Sequence, residues 1–215
     1  MPSQIPDRRA AVIAGHSGDE PTVRKALQSA DPRVRAAALG ALARLDVLDA
    51  ETLAGGLRDG SAAVIRRAVM LAGQSNDGAS MLDSELLDAE LIDRELLALL
   101  RDGADVVAEV AAWALGERHE NADPASAGQV IAALSSAATL HADALVREAA
   151  VAALGSIGAP GGLAAVLKAT SDKATVRRRA VIALAAFEGP EVDAALALAR
   201  ADRDWQVRQA AEDLS

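Results

Sequence analysis

Apolar side chains recur along this chain on a helical period, and one short pattern returns six times. Val34, Val64, Val107, Val146, Val176 and Val207 are each followed four residues later by Ala38, Ala68, Ala111, Ala150, Ala180 or Ala211. Offsets seven and eight hold Ala41-Leu42, Leu71-Ala72, Ala114-Leu115, Ala153-Leu154 and Ala183-Leu184, and a small residue follows at Ala43, Gly73, Gly116, Gly155 and Ala185. These offsets lie on one stripe of an α-helix, whereas a strand would alternate at every second residue. The intervals between the valines, 30, 43, 39, 30 and 31 residues, predict one supersecondary unit repeated in tandem.

A second apolar segment precedes each Val-led helix, so the unit reads as a helix pair. The leading helices are expected near Pro21 to Ser29, Ala50 to Arg58, Ser84 to Arg101, Ala125 to Thr139, Gly162 to Thr170 and Pro190 to Arg200. Asp31, Asp143 and Asp204 stand three residues before their valines and are placed to cap the second helices, while Gly158 to Gly162 and Gly189-Pro190 supply turns. Arg8 to Gly15 parallels Arg66 to Gly73, which adds an N-terminal half-unit whose Val position is Pro6. The expected class is all-α: a right-handed α-solenoid of stacked helix pairs, about six plus the half-unit, running through residues 1–215 as one array. The two long intervals imply insertions, Gln74 to Leu87 and Asn121 to Ala127, which map to one edge of such an array.

Composition sharpens this picture by exclusion. Ala makes up about a quarter of the chain and aromatics 1%, so helices pack closely and each pair relies on its neighbours for a core. Cys is absent, which removes disulfides, thiol nucleophiles and thiolate metal sites. No leader-like apolar run occupies Met1 to Arg9 and no later run approaches a membrane span, so a cytoplasmic location is expected. Of the net charge of -9, a local -6 falls between Asp77 and Asp102, whereas acidic and basic residues balance from Pro160 onward. The overall acidity argues against nucleic acid or an anionic membrane as the main partner. The polar ending Glu212, Asp213 and Ser215 suits a monomer, and Trp205 is expected to cap the last core.

The unit of Asp, Val five residues later, a following Arg, Ala at offset four and Leu-Gly near eight and nine resembles the HEAT repeat, in its short bacterial form also found in phycocyanobilin lyases. Asp59, Asp102 and Asp202 precede Val64, Val107 and Val207, and Val-Arg occurs at Val34-Arg35, Val146-Arg147, Val176-Arg177 and Val207-Arg208. The resemblance implies a ladder of Asp–Arg bonds between successive repeats. Ile65 and Ala108 replace its Arg, and His141 and Ser171 its Asp, so the ladder is expected to be broken and the middle repeats less rigidly joined.

HEAT resemblance implies an interaction scaffold rather than a catalyst, with the second helices on the concave side. Offsets two and six point away from the Val position, giving Ala36 and Gly40, Arg66 and Met70, Glu109 and Trp113, Glu148 and Ala152, Arg178 and Ile182, and Gln209 and Asp213. Trp113, with Met70 and Ile182, is the expected apolar anchor, and Arg66, Glu109, Glu148 and Arg178 form the rim. The partner is an unidentified protein segment, with the acidic stretch Asp83 to Glu95 favouring a basic one.

Other activities on this repeat type fit less well. The di-iron site of deoxyhypusine hydroxylase needs several His-Glu pairs, and only His119-Glu120 is present, since Ser17 follows His16 and Ala142 follows His141. A bilin lyase wants aromatic walls, which one Phe, two Trp and no Tyr do not provide. The alkylation-repeat DNA glycosylases offer a nucleic-acid alternative carried by Arg177, Arg178, Arg179, Arg200, Arg203 and Arg208 beside Trp205, provided that they converge. Gly155 to Gly162 lacks the Lys-Ser or Lys-Thr of a phosphate loop. No cofactor or metal is expected.

Overall fold

The computed structural model describes residues 6–74, 89–120 and 127–214, and every regular element among them is helical. Of the expected insertions, residues 75–87 and 121–126 lie outside the described residues, as do 83–88 of the acidic stretch. The chain divides into two compact units, Met1–Leu96 and Leu97–Ser215, with the division inside the helix Ala89–Asp102.

In the first unit α1 (Arg8–Ser17) stands ahead of the pairs α2 (Glu20–Ala26) with α3 (Pro32–Arg44) and α4 (Ala50–Leu57) with α5 (Ala62–Gln74). After α6 (Ala89–Asp102), the second unit holds α7 (Asp105–Arg118), α8 (Gly128–Leu140), α9 (Ala144–Ile157), α10 (Leu163–Ala169), α11 (Ala174–Ala183), α12 (Pro190–Ala199) and α13 (Trp205–Glu212). Short 3-10 turns at Pro160–Gly162 and Leu184–Ala186 lead into α10 and out of α11. The Val-led helices pack in succession, α1 on α3 on α5 in one unit and α7 on α9 on α11 on α13 in the other, with the leading helices behind them.

Local chemistry sets these boundaries. Asp31, Asp143 and Asp204 cap α3, α9 and α13 as expected, each carboxylate accepting from a first-turn N–H, and Asp7, Asp19 and Asp49 do the same for α1, α2 and α4. Gly158 ends α9 in the left-handed conformation with φ 66°, which a side chain would resist. The repeated stripe is the core: Val34, Ala38, Ala41 and Leu42 are buried, as are Val146, Ala150, Ala153 and Leu154.

Two devices join consecutive pairs. The first is a seam of small residues. A Cβ built on Gly15 would lie 2.5 Å from Ala41 Cβ, one on Gly116 2.8 Å from Ala153 Cα and Cβ, and one on Gly155 2.7 Å from Ala183 Cβ. In each case offset nine of one repeat meets offset seven of the next, which also sets α1 in register as a seventh Val-type helix.

The second device is the ladder. Arg35 grips Asp59 through Nε and Nη2 at 2.8 and 2.7 Å, Arg147 grips Asp172 at 2.6 and 2.9 Å, and Arg177 grips Asp202 at 2.9 and 2.7 Å. Nη1 of each also donates to a carbonyl in its own repeat's turn: Ser29 for Arg35, His141 for Arg147 and Asp172 for Arg177. A guanidinium held this way stitches one turn to the next with forked, charge-assisted bonds. The gap expected at Ser171 is not there. Asp172, one residue closer to its valine, accepts the bond because an arginine side chain spans the difference. Where Ile65 replaces Arg, Arg58 pairs with Glu95 at 2.7 Å, and Asp102 pairs with its neighbour Arg101.

Hydrogen bonds from Arg35, Arg147 and Arg177 hold the carboxyls of Asp59, Asp172 and Asp202 below the usual value near 3.8. Groups with a depressed folded pKa stabilise the native state above their unfolded pKa and lose that contribution as pH falls through the folded one. The thermal midpoint is therefore expected to stay level from pH 7 to about 5 and to drop progressively below about 4. An Asp59→Asn, Asp172→Asn, Asp202→Asn triple variant should show a shallower acid limb in a melting series. An equally steep limb would mean that the ladder does not set acid stability.

The expected role of Trp205 requires correction. Its side chain is 64% exposed at the first turn of α13, and the last core is closed instead by Leu196 and Leu214 against Val181, Ala199, Val207, Ala210 and Ala211. As the residue next to the cap, Trp205 sits on the outer side of the turn.

Candidate partner-binding surface

The inner Val-type helices α3, α9 and α11 are each covered on three sides, by the leading helix and by the Val-type helices before and after. At 100° per residue, the one open sector is filled by offsets -1, +3, +6 and +10, which fall within about 60° of one another. Offset two lies at the margin of this sector, beside the seam with the neighbouring helix. This three-sided burial explains how the expected surface residues divide. Met70 and Ile182, at offset six, are exposed, and Trp113 at the same offset is half-buried. At offset two, Arg66 and Arg178 are exposed, whereas Glu109 is half-buried and Glu148 accepts a 3.5 Å bond from Arg179.

In the second unit the open sector is mainly apolar, with Glu117, Ser156, Thr175 and Arg179 as its polar members. On α7 it carries Val106, Val110 and Trp113, on α9 Leu145, Ala149 and Ala152, and on α11 Arg179 and Ile182. Val106, Leu145 and Ile182 are 45%, 56% and 39% exposed, large values for side chains of this type. Between α9 and α11 the surface dips into a groove of about 410 Å³, lined by Ala152, Gly155, Ser156, Arg179, Ile182 and small residues of the α11 end. Glu148, Trp113 and Arg178 do not line that groove. Val106 and Leu145 are additions to the expected set, and Arg179 takes the place that Arg178 was expected to hold.

The first unit shows a different face. There α1, α3 and α5 border an open cleft of about 650 Å³ with Ala36, Ala37, Gly40 and Ala63 in its lining, and arginines project from all three helices. Met70 and Arg66 stand on α5, and neither lines the cleft.

Three of the six C-terminal arginines are already engaged within the protein. Arg177 is 6% exposed and committed to Asp202, Arg208 donates to the Asp202 carbonyl, and Arg179 reaches Glu148. These bonds engage Arg177, Arg179 and Arg208; the set named for the nucleic-acid alternative also holds Arg178, Arg200 and Arg203. Among the described residues no helix is long and apolar enough to cross a membrane.

HEAT repeats match the sequence at residues 94–185 and 131–214, together 121 of its 215 residues. The chain belongs to the HEAT-repeat family. No curated protein matches it. Among solved structures, a designed armadillo repeat protein in complex with the peptide (KR)4 is similar with a TM-score of 0.62 and 22% identity, covering 91% of this chain and 98% of its own. An engineered protein gives a TM-score of 0.62 and 20% identity over 91% of this chain and 94% of its own. A chain from a structure of Kap95p binding to RanGDP gives 0.60 and 16% identity, covering 92% of this chain and 27% of that one. At these identities the likeness is one of fold, an α-solenoid of stacked helix pairs.

Proposed function

We propose that the chain is a non-enzymatic protein-binding scaffold whose second unit docks an apolar or amphipathic partner segment across α7, α9 and α11. The carrying observation is that three helices packed side by side hold Val106, Trp113, Leu145 and Ile182 in equivalent open sectors. Large apolar groups gathered on one face mark interaction surfaces, and Trp is a frequent anchor in them. Arg178, Glu109 and Glu148 border the face as a polar rim, while Arg66 and Met70 belong to the first unit. The neighbours that bind peptides or proteins make a protein ligand reasonable for this fold. The basic partner favoured by Asp83 to Glu95 rests on a stretch mostly outside the described residues, and Glu95 itself is taken by Arg58.

The reading is tested by immobilising the chain and comparing retention of proteins by wild type, Leu145→Glu, Ile182→Glu, Trp113→Asp and a Leu198→Glu control. Leu198 is 76% exposed but lies on α12, away from the face. One specific protein retained by wild type and Leu198→Glu, and retained at least about tenfold less by the other three, is the expected outcome, since a charge buried against an apolar partner costs several kcal/mol. Equal retention by all five would reject the face.

A further inference from the structure

The cleft on the first unit inverts the charge of the protein. In a chain of net charge -9, its lining of ten residues contains Arg8, Arg33, Arg44, Arg67 and His16 and no carboxylate. None of the four arginine side chains is engaged in an ion pair or side-chain hydrogen bond with a described residue, although Arg24 and Arg35 of the same unit are fully engaged. Arg67 is held in the cleft at a cost. Burial, and then the charge of Arg44, push its pKa below the usual guanidinium range. Its guanidinium lies against Gly40, where a Cβ would overlap it. A glycine thus makes room for a half-buried, unpaired cation beside a second one, an arrangement that an arriving anion would relieve.

We propose that this cleft binds an acidic peptide segment, whose carboxylates the four arginines receive. The spread of charge selects an extended ligand. Arg33 and Arg44 are separated by about 16 Å of helix rise, too far for one phosphate and equal to roughly five residues of extended chain. Guanidinium forks match carboxylates in bidentate fashion, and the floor of Ala36, Ala37 and Gly40 lets a backbone approach closely. No Phe, Tyr or Trp lines the cleft, so a base would find only the His16 ring and the guanidinium planes on which to stack. The site lies on a different unit from the apolar face and stands whether or not that face binds a partner.

The test is a titration of the full chain with a fluorescent eight-residue peptide alternating Glu and Ala, against the same peptide with Gln for Glu. Sodium pyrophosphate and a twelve-nucleotide oligothymidylate serve as competitors. The acidic peptide should bind at least tenfold more tightly than the Gln peptide, with affinity falling as salt rises. Arg44→Gln with Arg67→Gln should weaken it at least tenfold, and an Arg94→Gln, Lys168→Gln control of equal charge change should not. Gly40→Ala provides a variant that keeps every charge and suits a helix interior while displacing Arg67, and it should weaken binding several-fold even if the double variant folds poorly. Equal binding of the two peptides, or an acidic peptide insensitive to both variants, would overturn the proposal. So would oligothymidylate or pyrophosphate competing at lower concentration than unlabelled acidic peptide, the first by making the cleft a nucleic-acid site and the second a phosphate pocket.

Discussion

Asp202→Asn is expected to destabilise the second unit by about 3 kcal/mol, a fall of roughly 10 °C in its melting midpoint. The effect arises less from the lost bond than from what remains. Arg177, the one buried charged residue of the described core, keeps its proton and its place, with a neutral amide oxygen, the Asp172 carbonyl and the more distant charges of Asp204 and Asp172 to answer it. Breaking a buried pair by removing one partner costs more than replacing both, because the surviving charge is left uncompensated. Arg177→Met combined with Asp202→Asn should therefore recover at least half of the loss. Denaturant melts of wild type and the two variants decide the matter. A single variant within about 0.5 kcal/mol of wild type would show that the rung contributes no more than an exposed pair.

Gly155→Val should cost about 3 kcal/mol as well, by overpacking rather than by charge. A Cβ here meets Ala183 Cβ at 2.7 Å and Cα at 2.9 Å, and backbone cannot swing aside as a side-chain tip would. α9 and α11 must separate, and the groove that holds Ile182 opens along the same seam. Two comparisons isolate the cause. Gly155→Ala should be partly rescued by Ala183→Gly, which moves the single tolerated methyl to the other side of the seam. Gly55→Ala, also inside a helix but with no atom within 4 Å of the new Cβ, should instead stabilise by about 0.5–1 kcal/mol through lost freedom of the unfolded chain. Loss of stability at Gly55 comparable to that at Gly155 would remove close packing as the explanation.

These two sites also show what could be read before any coordinates. The Val, Ala and Leu stripe announced the helices, the core and the N-terminal copy, because burial is periodic and the period survives substitution. Gly116 and Gly155 were visible as small positions, but their partners Ala153 and Ala183 were not, since a seam pairs offset nine with offset seven across some thirty residues. The ladder was legible in type and misjudged in register. A rule fixed at five residues before the valine passed over Asp172, whereas an arginine side chain reaches four or five alike. For the surface, treating Val as the only buried direction gave offsets two and six. Adding the two flanking helices would have moved the first of these to three, and with it the reading from Arg66 and Arg178 to Arg67 and Arg179. The stripe at -1, +3, +6 and +10 was present in the sequence as Arg33, Ala37, Gly40 and Arg44, and it signals a face as plainly as the core stripe does.

The two joining devices make array length a quantity separable from the rest of the molecule. At α9 the two devices occur together: Gly155 receives Ala183 of α11 and Arg147 clasps Asp172, while Ala153 of α9 fits the notch at Gly116 of α7. A block cut from the chain at equivalent points near Val146 and Val176 therefore ends in a plug and a socket of matching form. Copied and spliced back, it would find neighbours already shaped for it, and the chain could grow by whole bricks without a new core having to be invented.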